Sequence, residues 1–290
     1  MFSSVLSVLL MGMLPVVSPV PADQHALSAL SIASPSPFAA NVLTPFSLPK
    51  RVTASGVLIV DLQSGQRVYG RNAEQRRPIG SLTKLMTALI IAENHALDEW
   101  VTIPAGVAAI EGSRARLEPG EQFTVGDLLT ALLVPSANDA AETLARFHSG
   151  TSDAFVQIMN ERAQVLGLKN TSYANPSGLD DGNQWSTPQD LVWLTSHVLR
   201  RPELRARMST LTETITGLKG QQILLTHTHS LLHTDPAVLA GKTGTTQGAG
   251  ECVVTLVEEG SREFLVILLS SGERYSDLRW VMQALSSLLG

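Results

Sequence analysis

Ser81 and Lys84 are residue types whose spacing could support nucleophilic chemistry. Apolar side chains at 82, 85, 86, 89 and 90 follow the spacing of a helix with one buried face. Pro78 and Gly80 lie just upstream, which predicts that Ser81 is in the first turn and that Lys84 shares its face. A neutral amine within reach could take the proton of a serine hydroxyl. The pattern therefore predicts a serine nucleophile with a lysine base.

The Ser-x-x-Lys pattern alone is weak evidence, because it contains only two residues and occurs a second time. In Ser47-Leu48-Pro49-Lys50, Pro49 opposes a helix and no apolar periodicity follows. The ordinary alternative for Ser81 and Lys84 is a serine at a helix N-terminus and a solvated lysine. Two later patterns favour the catalytic interpretation, since Ser136-x-Asn138 and Lys242-Thr243-Gly244 follow in this order.

The elements around these motifs predict an α+β fold. Residues 81 to about 207 are mostly helical in pattern, whereas both ends of the chain carry short β-branched runs. The predicted strands are 55–61, 66–69, 100–103, 238–244, 252–257 and 263–269, and a last amphipathic helix covers 276–289. This order predicts one antiparallel sheet formed from both chain ends, with an all-helical lobe nested between them.

Capping patterns predict where two of the helices begin. Thr124, with Asp127 three residues later, predicts a helix over 128–134 that stops at Pro135. Ser186 to Gln189 reads as a second capping box, which opens a helix running to about Leu199. Between them, the dense turn cluster at 175–180 predicts a loop.

Length and composition restrict the class of protein. A chain of 290 residues with 44% hydrophobic content is globular, with one large domain or two small ones. The net charge of −5 and the lack of a basic patch argue against a nucleic-acid partner. The single cysteine, Cys252, excludes an intrachain disulfide and a four-thiolate zinc site.

The N-terminal part of the chain has a different composition. An apolar run at 5–17, broken by Pro15 and followed by small residues up to Ala22, is typical of a signal peptide over 1–22. No Lys or Arg precedes the run, so the usual basic region is missing. Residues 23–50 read as a flexible linker rich in Ala, Ser and Pro, and 51–290 as the functional domain. We therefore expect an exported protein of the periplasm or cell envelope.

Taken together, the three motifs resemble those of the penicillin-recognising serine enzymes. The flanking residues resemble the low-molecular-mass D-alanyl-D-alanine carboxypeptidases, which are also called penicillin-binding proteins. The matching segments are 79–87, 117–120, 136–141, 175–179 and 241–246. The resemblance covers about residues 50 to 289 and implies a β-lactamase/transpeptidase-like fold. One departure is Ala137, where relatives often carry glycine.

The resemblance implies a role for each motif residue. Ser81 would attack the D-Ala-D-Ala carbonyl, release the terminal D-alanine and form an acyl-enzyme that water cleaves. Lys84 would be the base, with a pKa lowered by burial and by Lys242 nearby. Ser136 would relay a proton to the leaving amine, and Asn138 would hold Lys84 and the substrate amide.

The resemblance also implies how the substrate is bound, without a metal or cofactor. The backbone N–H groups of Ser81 and Thr245 would form the oxyanion hole. The substrate-binding residues would be Lys242, Thr243, Gly244, Thr245 and Arg274. Arg274 is assigned only by its place in Arg274-Tyr275-Ser276-Asp277, and a plain surface arginine is the alternative. A β-lactam mimics the dipeptide and would acylate Ser81.

Several functions stay open at this point. The chain stops at Gly290, where anchored relatives continue, so we expect no C-terminal membrane anchor and a similarity to shorter relatives, some of which are endopeptidases acting on peptidoglycan cross-links. A class A β-lactamase would need a deacylating glutamate in a loop after the second motif. Glu161 does not meet this requirement, because it lies on a predicted helix. A penicillin-binding sensor without turnover would need a long transmembrane segment before the domain.

A cluster of histidines is a second candidate site, which could bind a metal. His227, His229 and His233 alternate near Asp235, and alternating histidines on a strand can bind a metal. In the resembling family this segment is the connector before the Lys-Thr-Gly strand, and the mechanism needs no metal. Hydrogen-bonded or exposed histidines are therefore the favoured interpretation.

Overall fold

The computed structural model describes residues 46–289, and its largest element is a five-stranded antiparallel sheet. In chain order the elements are β1 (Gly56–Asp61), β2 (Arg67–Arg71), α1 (Lys84–Asn94), β3 (Trp100–Thr102), β4 (Gln122–Thr124), α2 (Val125–Leu133), α3 (Asn138–Ser149), α4 (Ser152–Val165), α5 (Pro188–Leu199), α6 (Pro202–Ser209), β5 (Thr212–Thr216), β6 (Gln222–Thr226), β7 (Val238–Thr246), β8 (Gly250–Glu259), β9 (Arg262–Ser271) and α7 (Arg274–Leu289). The predicted signal peptide at 1–22 and the linker up to residue 45 lie outside the described residues.

Strands from the two ends of the chain pair in the middle of the sheet. The strand order is β2-β1-β9-β8-β7, so β1 from the N-terminal side lies against β9 from the C-terminal side. Gly56 faces Leu269 and Asp61 faces Phe264 in this antiparallel register. The helices from α1 to α6 are inserted between these two parts of the chain. The predicted α+β fold with a nested helical lobe is thus confirmed.

Both faces of the sheet are covered, which explains the continuous apolar runs in its strands. Along β1, Leu58 and Val60 belong to the core shared with the helical lobe, whereas Val57 and Ile59 belong to a second core under α7. This alternation follows from the period of two along a strand. Phe46, which falls in the predicted linker, also packs against the second core.

Helix α1 is buried on all sides, which differs from the predicted single buried face. All residues from Lys84 to Ile91 are buried, because α2, α3, α4, α5 and α6 all contact the helix. The helix is preceded by a 3-10 turn, Gly80–Thr83, which contains Ser81. Ser81 and Lys84 are therefore fixed at the centre of the molecule, where the lobe meets the sheet.

Both predicted capping segments open a helix, but the predicted capping residue is right in only one of them. The Thr124–Asp127 capping box is present at the start of α2, although the helix begins at Val125 and not at 128. The second cap is Thr187, whose side chain accepts from the Asp190 N–H, and not Ser186. Ser186 stays extended because its backbone pairs in both directions with Arg77.

The hairpin of β5 and β6 was not predicted from the sequence. Its strands have mostly exposed side chains, with one buried residue in each, so they lack the apolar alternation that marks a half-buried strand.

None of the helices within residues 46–289 combines the length and the apolar character needed to cross a membrane.

Asp277 joins the two ends of the chain beside the central strands. Its carboxylate accepts hydrogen bonds from the Thr53 N–H and hydroxyl and from the Ala54 N–H, each at 2.8 Å, and from the Ser271 hydroxyl at 2.7 Å. The side chain is 1% exposed. Because these partners lie just before β1 and at the end of β9, Asp277 fastens both strands to α7.

We expect the Asp277→Ala variant to lose about 3 kcal/mol of unfolding free energy, because it leaves buried donors without an acceptor. Urea unfolding followed by circular dichroism measures this loss. The control Glu161→Ala removes an exposed carboxylate from α4 and should stay within about 0.5 kcal/mol of the wild type. Equal stability of the two variants would contradict the assigned role of Asp277.

Candidate active site

The Lys84 amine lies at the centre of a group of polar atoms at the start of α1. Its Nζ is 2.9 Å from Ser81 Oγ, 2.6 Å from Asn138 Oδ1 and 2.5 Å from the Ser177 carbonyl oxygen. Two of these partners can only accept a hydrogen bond, whereas the Ser81 hydroxyl can also donate. A neutral amine would therefore donate to Asn138 and Ser177 and keep its lone pair for the Ser81 proton.

The surroundings of Lys84 favour that neutral form. The side chain is 0% exposed, and burial is the main cause that lowers its pKa well below the ordinary lysine value. The positive charge of Lys242 lowers the pKa further, while the negative charge of Asp139 raises it. The geometry and the charges together give Lys84 the properties of a general base.

A second buried lysine comes from the sheet. Lys242 on β7 is also 0% exposed, and its Nζ donates to Ser136 Oγ at 2.7 Å and to the Thr243 carbonyl oxygen at 2.9 Å. Burial, followed by the charge of Arg274, lowers the pKa of Lys242 to about 7. Ser136 has a positive φ of 64°, a conformation that non-glycine residues seldom adopt, in the connection between α2 and α3. Its hydroxyl is thereby held beside Lys242.

Three glycines allow the backbone around Ser81 to be packed very closely. A Cβ on Gly178 would lie 2.1 Å from the Gly80 carbonyl oxygen, and one on Gly244 would lie 2.6 Å from the Ile79 carbonyl oxygen. A Cβ on Gly244 would also lie 3.0 Å from the Ser81 nitrogen, and one on Gly80 3.2 Å from the Thr245 nitrogen. The backbone nitrogens of Ser81 and Thr245 thus lie in one closely packed region, where two amides could serve as an oxyanion hole.

Hydroxyl groups and a guanidinium line the part of β7 that follows Lys242. The Thr243 hydroxyl lies 2.6 Å from the Thr228 hydroxyl. Arg274 is only 9% exposed, and its guanidinium donates to the carbonyl oxygens of Gly244 at 2.9 Å and Cys252 at 3.0 Å and to the Thr245 hydroxyl at 2.5 Å. Arg274 is therefore a buried support of β7 and not a plain surface arginine.

The loop at 175–180 supplies a group that the motif analysis missed. The Asn175 Oδ1 atom accepts the N–H groups of Ser177, Gly178 and Leu179, at 3.3, 2.7 and 3.1 Å, and so fixes the turn. This turn points the Ser177 carbonyl oxygen at Lys84. The only sequence signal was the cluster of turn residues, because a backbone carbonyl has no residue-type signature.

The same loop is also fastened to the sheet. Asp180 accepts hydrogen bonds from the Thr246 hydroxyl at the end of β7, at 2.5 Å, and from the Gly248 N–H in the following turn, at 2.8 Å. The sequence motifs also gave no sign of Thr228, whose hydroxyl contacts Thr243 and which lies between His227 and His229.

The histidine cluster is part of the structural support of the site. The backbone N–H of His229 donates to His227 Nδ1 at 3.0 Å, and the His229 Nε2 atom lies 2.8 Å from the Thr255 hydroxyl. Burial lowers the pKa of His227 to about 3 and that of His229 to about 4, so both rings are neutral near pH 7. No group of three or more metal-binding side chains is assembled within residues 46–289.

The fold and the geometry of the site define a class of protein. A serine paired with a buried lysine, a second lysine beside another serine, and two adjacent amides are the components of an acyl-transfer site with a covalent intermediate. The site lies where a helical lobe meets β7, the edge strand of a five-stranded sheet. These features are those of serine acyl-transferring enzymes with a lysine base.

Comparison with known proteins gives the family. The family model described as D-alanyl-D-alanine carboxypeptidase, Peptidase_S11, matches residues 44–271. The protein belongs to the D-alanyl-D-alanine carboxypeptidase family. The resemblance predicted from the three motifs is therefore confirmed.

Individual relatives include proteins named for two activities. The chain is 30% identical over 225 residues to the D-alanyl-D-alanine carboxypeptidase DacF of Bacillus subtilis, a match that covers 75% of this chain and 57% of DacF. It is 31% identical over 249 residues to a D-alanyl-D-alanine endopeptidase of Pseudomonas aeruginosa, covering 84% of this chain and 78% of that protein.

A solved structure has the same fold. The Streptomyces K15 DD-transpeptidase is similar with a TM-score of 0.77 and 29% identity, and the match covers 82% of this chain and 98% of that one. The predicted β-lactamase/transpeptidase-like fold is confirmed by this similarity.

We expect Gly178→Ala to disrupt the site, because the added Cβ would collide with the Gly80 carbonyl and φ at Gly178 is +90°. Labelling of Ser81 by a fluorescent penicillin should slow about 100-fold, the scale of a displacement of about 1 Å. A time course of labelling measures this effect. Gly220→Ala is the control, because φ is +84° there and nothing lies within 4 Å of its added Cβ. Equal labelling of both variants would contradict the close-packing argument.

Proposed function

We propose that this protein is a serine D,D-peptidase that cleaves the D-Ala-D-Ala bond of peptidoglycan stem peptides, with carboxypeptidase activity as the leading assignment. The observation that carries the proposal is the buried Lys84 amine, 2.9 Å from Ser81 Oγ and supported by two carbonyl acceptors. Membership of the D-alanyl-D-alanine carboxypeptidase family supports the substrate class.

In the proposed first step, Ser81 Oγ attacks the carbonyl carbon of the penultimate D-alanine while its proton passes to Lys84 Nζ. The developing oxyanion accepts hydrogen bonds from the backbone amides of Ser81 and Thr245. The C–N bond then breaks, and the leaving nitrogen takes a proton relayed through the Ser136 hydroxyl. D-Alanine leaves, and an ester of the stem peptide remains on Ser81.

In the proposed second step, water attacks this ester and Ser81 is restored with its proton. Asn138 holds the Lys84 amine through both steps. A β-lactam enters the same sequence when its ring carbonyl is attacked, so it acylates Ser81. No metal or cofactor takes part in these steps.

The substrate's terminal carboxylate is assigned to β7. In the proposal, Lys242 supplies positive charge, the Thr243 hydroxyl donates a hydrogen bond, and Gly244 lets the strand lie close to Ser81. The guanidinium of Arg274 already donates to Gly244, Cys252 and Thr245. We therefore assign it a supporting role, in which it fixes Thr245 and adds positive charge beneath the carboxylate.

Endopeptidase activity on peptidoglycan cross-links is a second candidate. Two relatives named D-alanyl-D-alanine endopeptidase match 84% and 89% of this chain, and the match covers 78% and 86% of their own lengths. The same catalytic residues would serve, since only the leaving group differs.

Export follows from the proposed substrate, because peptidoglycan lies outside the cytoplasmic membrane. The predicted signal peptide at 1–22 supports a place in the periplasm or cell envelope.

The direct test incubates the purified protein with a muramyl pentapeptide and, separately, with cross-linked muropeptide dimers, and identifies the products by mass spectrometry. We expect release of D-alanine by the wild type and none by Ser81→Ala, since the nucleophile is then missing. Dimer splitting without D-alanine release would favour the endopeptidase. Labelling of Ser81 by penicillin without turnover of either substrate would contradict a peptidase and favour the sensor.

We expect a bell-shaped pH dependence for acylation of Ser81. The rate should rise as Lys84 loses its proton, below the ordinary lysine range, and fall as Lys242 loses its positive charge at about pH 7. Lys242→Arg keeps the charge at every accessible pH and should remove the falling limb. Second-order rate constants with a fluorescent penicillin measure both limbs. An unchanged falling limb in Lys242→Arg would refute this assignment of Lys242.

A further inference from the structure

The segment 111–117 is bound to the first two residues of α3 by four hydrogen bonds. The Asn138 N–H donates to the Ser113 carbonyl oxygen at 2.7 Å, and the Asn138 Nδ2 atom donates to the Glu111 carbonyl oxygen at 2.6 Å. The Asp139 carboxylate accepts the Ala115 N–H at 3.0 Å and the Leu117 N–H at 3.1 Å. Consecutive residues of the helix thus fasten the whole segment.

Asp139 is a buried anion that backbone amides surround. The side chain is 0% exposed, and its Oδ1 atom also accepts the Ala140 N–H at 2.9 Å. Arg116, between the two amides of the segment, has a φ of +62°. Left-handed backbone at a non-glycine residue turns successive N–H groups towards one anion. The conformation of this segment therefore depends on the carboxylate.

The segment in turn fixes the orientation of the Asn138 amide. Its Oδ1 atom accepts from Lys84 at 2.6 Å, while its Nδ2 atom donates to Glu111. A rotated amide would place a donor against Lys84 and an acceptor against a carbonyl oxygen, so the Glu111 carbonyl permits one orientation only. Gly112 lies against the same group, since a Cβ there would be 2.7 Å from Asn138 Nδ2.

We propose that Asp139 is a positioning residue for acyl transfer: it fastens the segment 111–117 and, through the Glu111 carbonyl oxygen, holds the Asn138 amide on Lys84. This inference rests on the proposed serine peptidase function. Asp139 does not touch the substrate, and its effect reaches the reaction through Asn138 and through its own charge.

The charge of Asp139 acts on Lys84 in the opposite direction to the other influences. Lys84 faces Lys242 on β7 and Asp139 on α3, and its hydrogen-bond partners Ser81, Asn138 and Ser177 are uncharged. Burial and Lys242 lower the pKa of Lys84, whereas Asp139 raises it. Removal of this carboxylate should therefore let Lys84 lose its proton at a lower pH.

The first experiment compares wild type and Asp139→Asn in the pH profile of Ser81 acylation by a fluorescent penicillin. The amide keeps the size of the side chain but loses the charge and places a donor against the Leu117 N–H. We expect the rising limb to move towards acid, because Lys84 loses a neighbouring negative charge, and the plateau rate to fall about 10-fold as Asn138 loosens. If the acylation rate falls equally at every pH and the rising limb does not move, Asp139 has only a structural role and the proposal is overturned.

The second experiment keeps Asp139 and disturbs the segment, so it decides the matter if Asp139→Asn does not fold. Gly112 and Gly106 have φ values of +85° and +86°, and a Cβ at Gly106 meets nothing within 4 Å. Gly112→Ala and Gly106→Ala therefore share the backbone cost, and only Gly112→Ala collides with Asn138. We expect Gly112→Ala to be acylated at least about 10-fold more slowly than Gly106→Ala. Equal rates would overturn the proposal.

The proposed peptidase function and the proposed role of Asp139 can be disproved separately. If the wild type neither turns over muropeptides nor is acylated at Ser81, the peptidase function and the role of Asp139 fall together. If the wild type is active while Asp139→Asn keeps its rising limb and Gly112→Ala matches Gly106→Ala, only the role of Asp139 is lost.

Discussion

The burial of two lysine amines in one site is the constraint on which the rest of the structure depends. Lys84 and Lys242 are both 0% exposed, and neither forms a salt bridge within the described part of the chain. An unpaired ammonium is costly away from water, and loss of its proton is the usual relief. The cost of burial thereby favours the neutral form of the Lys84 amine, which is the form that can accept a proton.

Two separate parts of the fold meet to impose this burial. Helix α1 carries Lys84 into the middle of the helical lobe, and β7 brings Lys242 along the edge of the sheet. Neutral acceptors, namely Ser81, Asn138, Ser177 and Ser136, replace the lost water without adding negative charge. The positive charge of Lys242 then lowers the pKa of Lys84, since little solvent separates them.

The sequence was sufficient for features that depend on side-chain type and was insufficient for those that depend on backbone. Ser81, Lys84, Ser136, Asn138 and Lys242 could be singled out because their chemistry is specific and their order is unusual. The Ser177 carbonyl and the contacts of Gly80, Gly178 and Gly244 were out of reach, since any residue has a carbonyl and most glycines are turn formers. The sheet followed from apolar periodicity, whereas the exposed hairpin of β5 and β6 had none.

The close contact of Gly80, Gly178 and Gly244 has a consequence for how the protein matures. These residues are far apart in the chain, so their contacts exist only after folding has brought the lobe and the sheet together. Until they form, Lys84 and Lys242 are solvated lysines with ordinary proton affinity. A newly made chain therefore carries no reactive serine, and reactivity at Ser81 reports that the lobe and the sheet have docked.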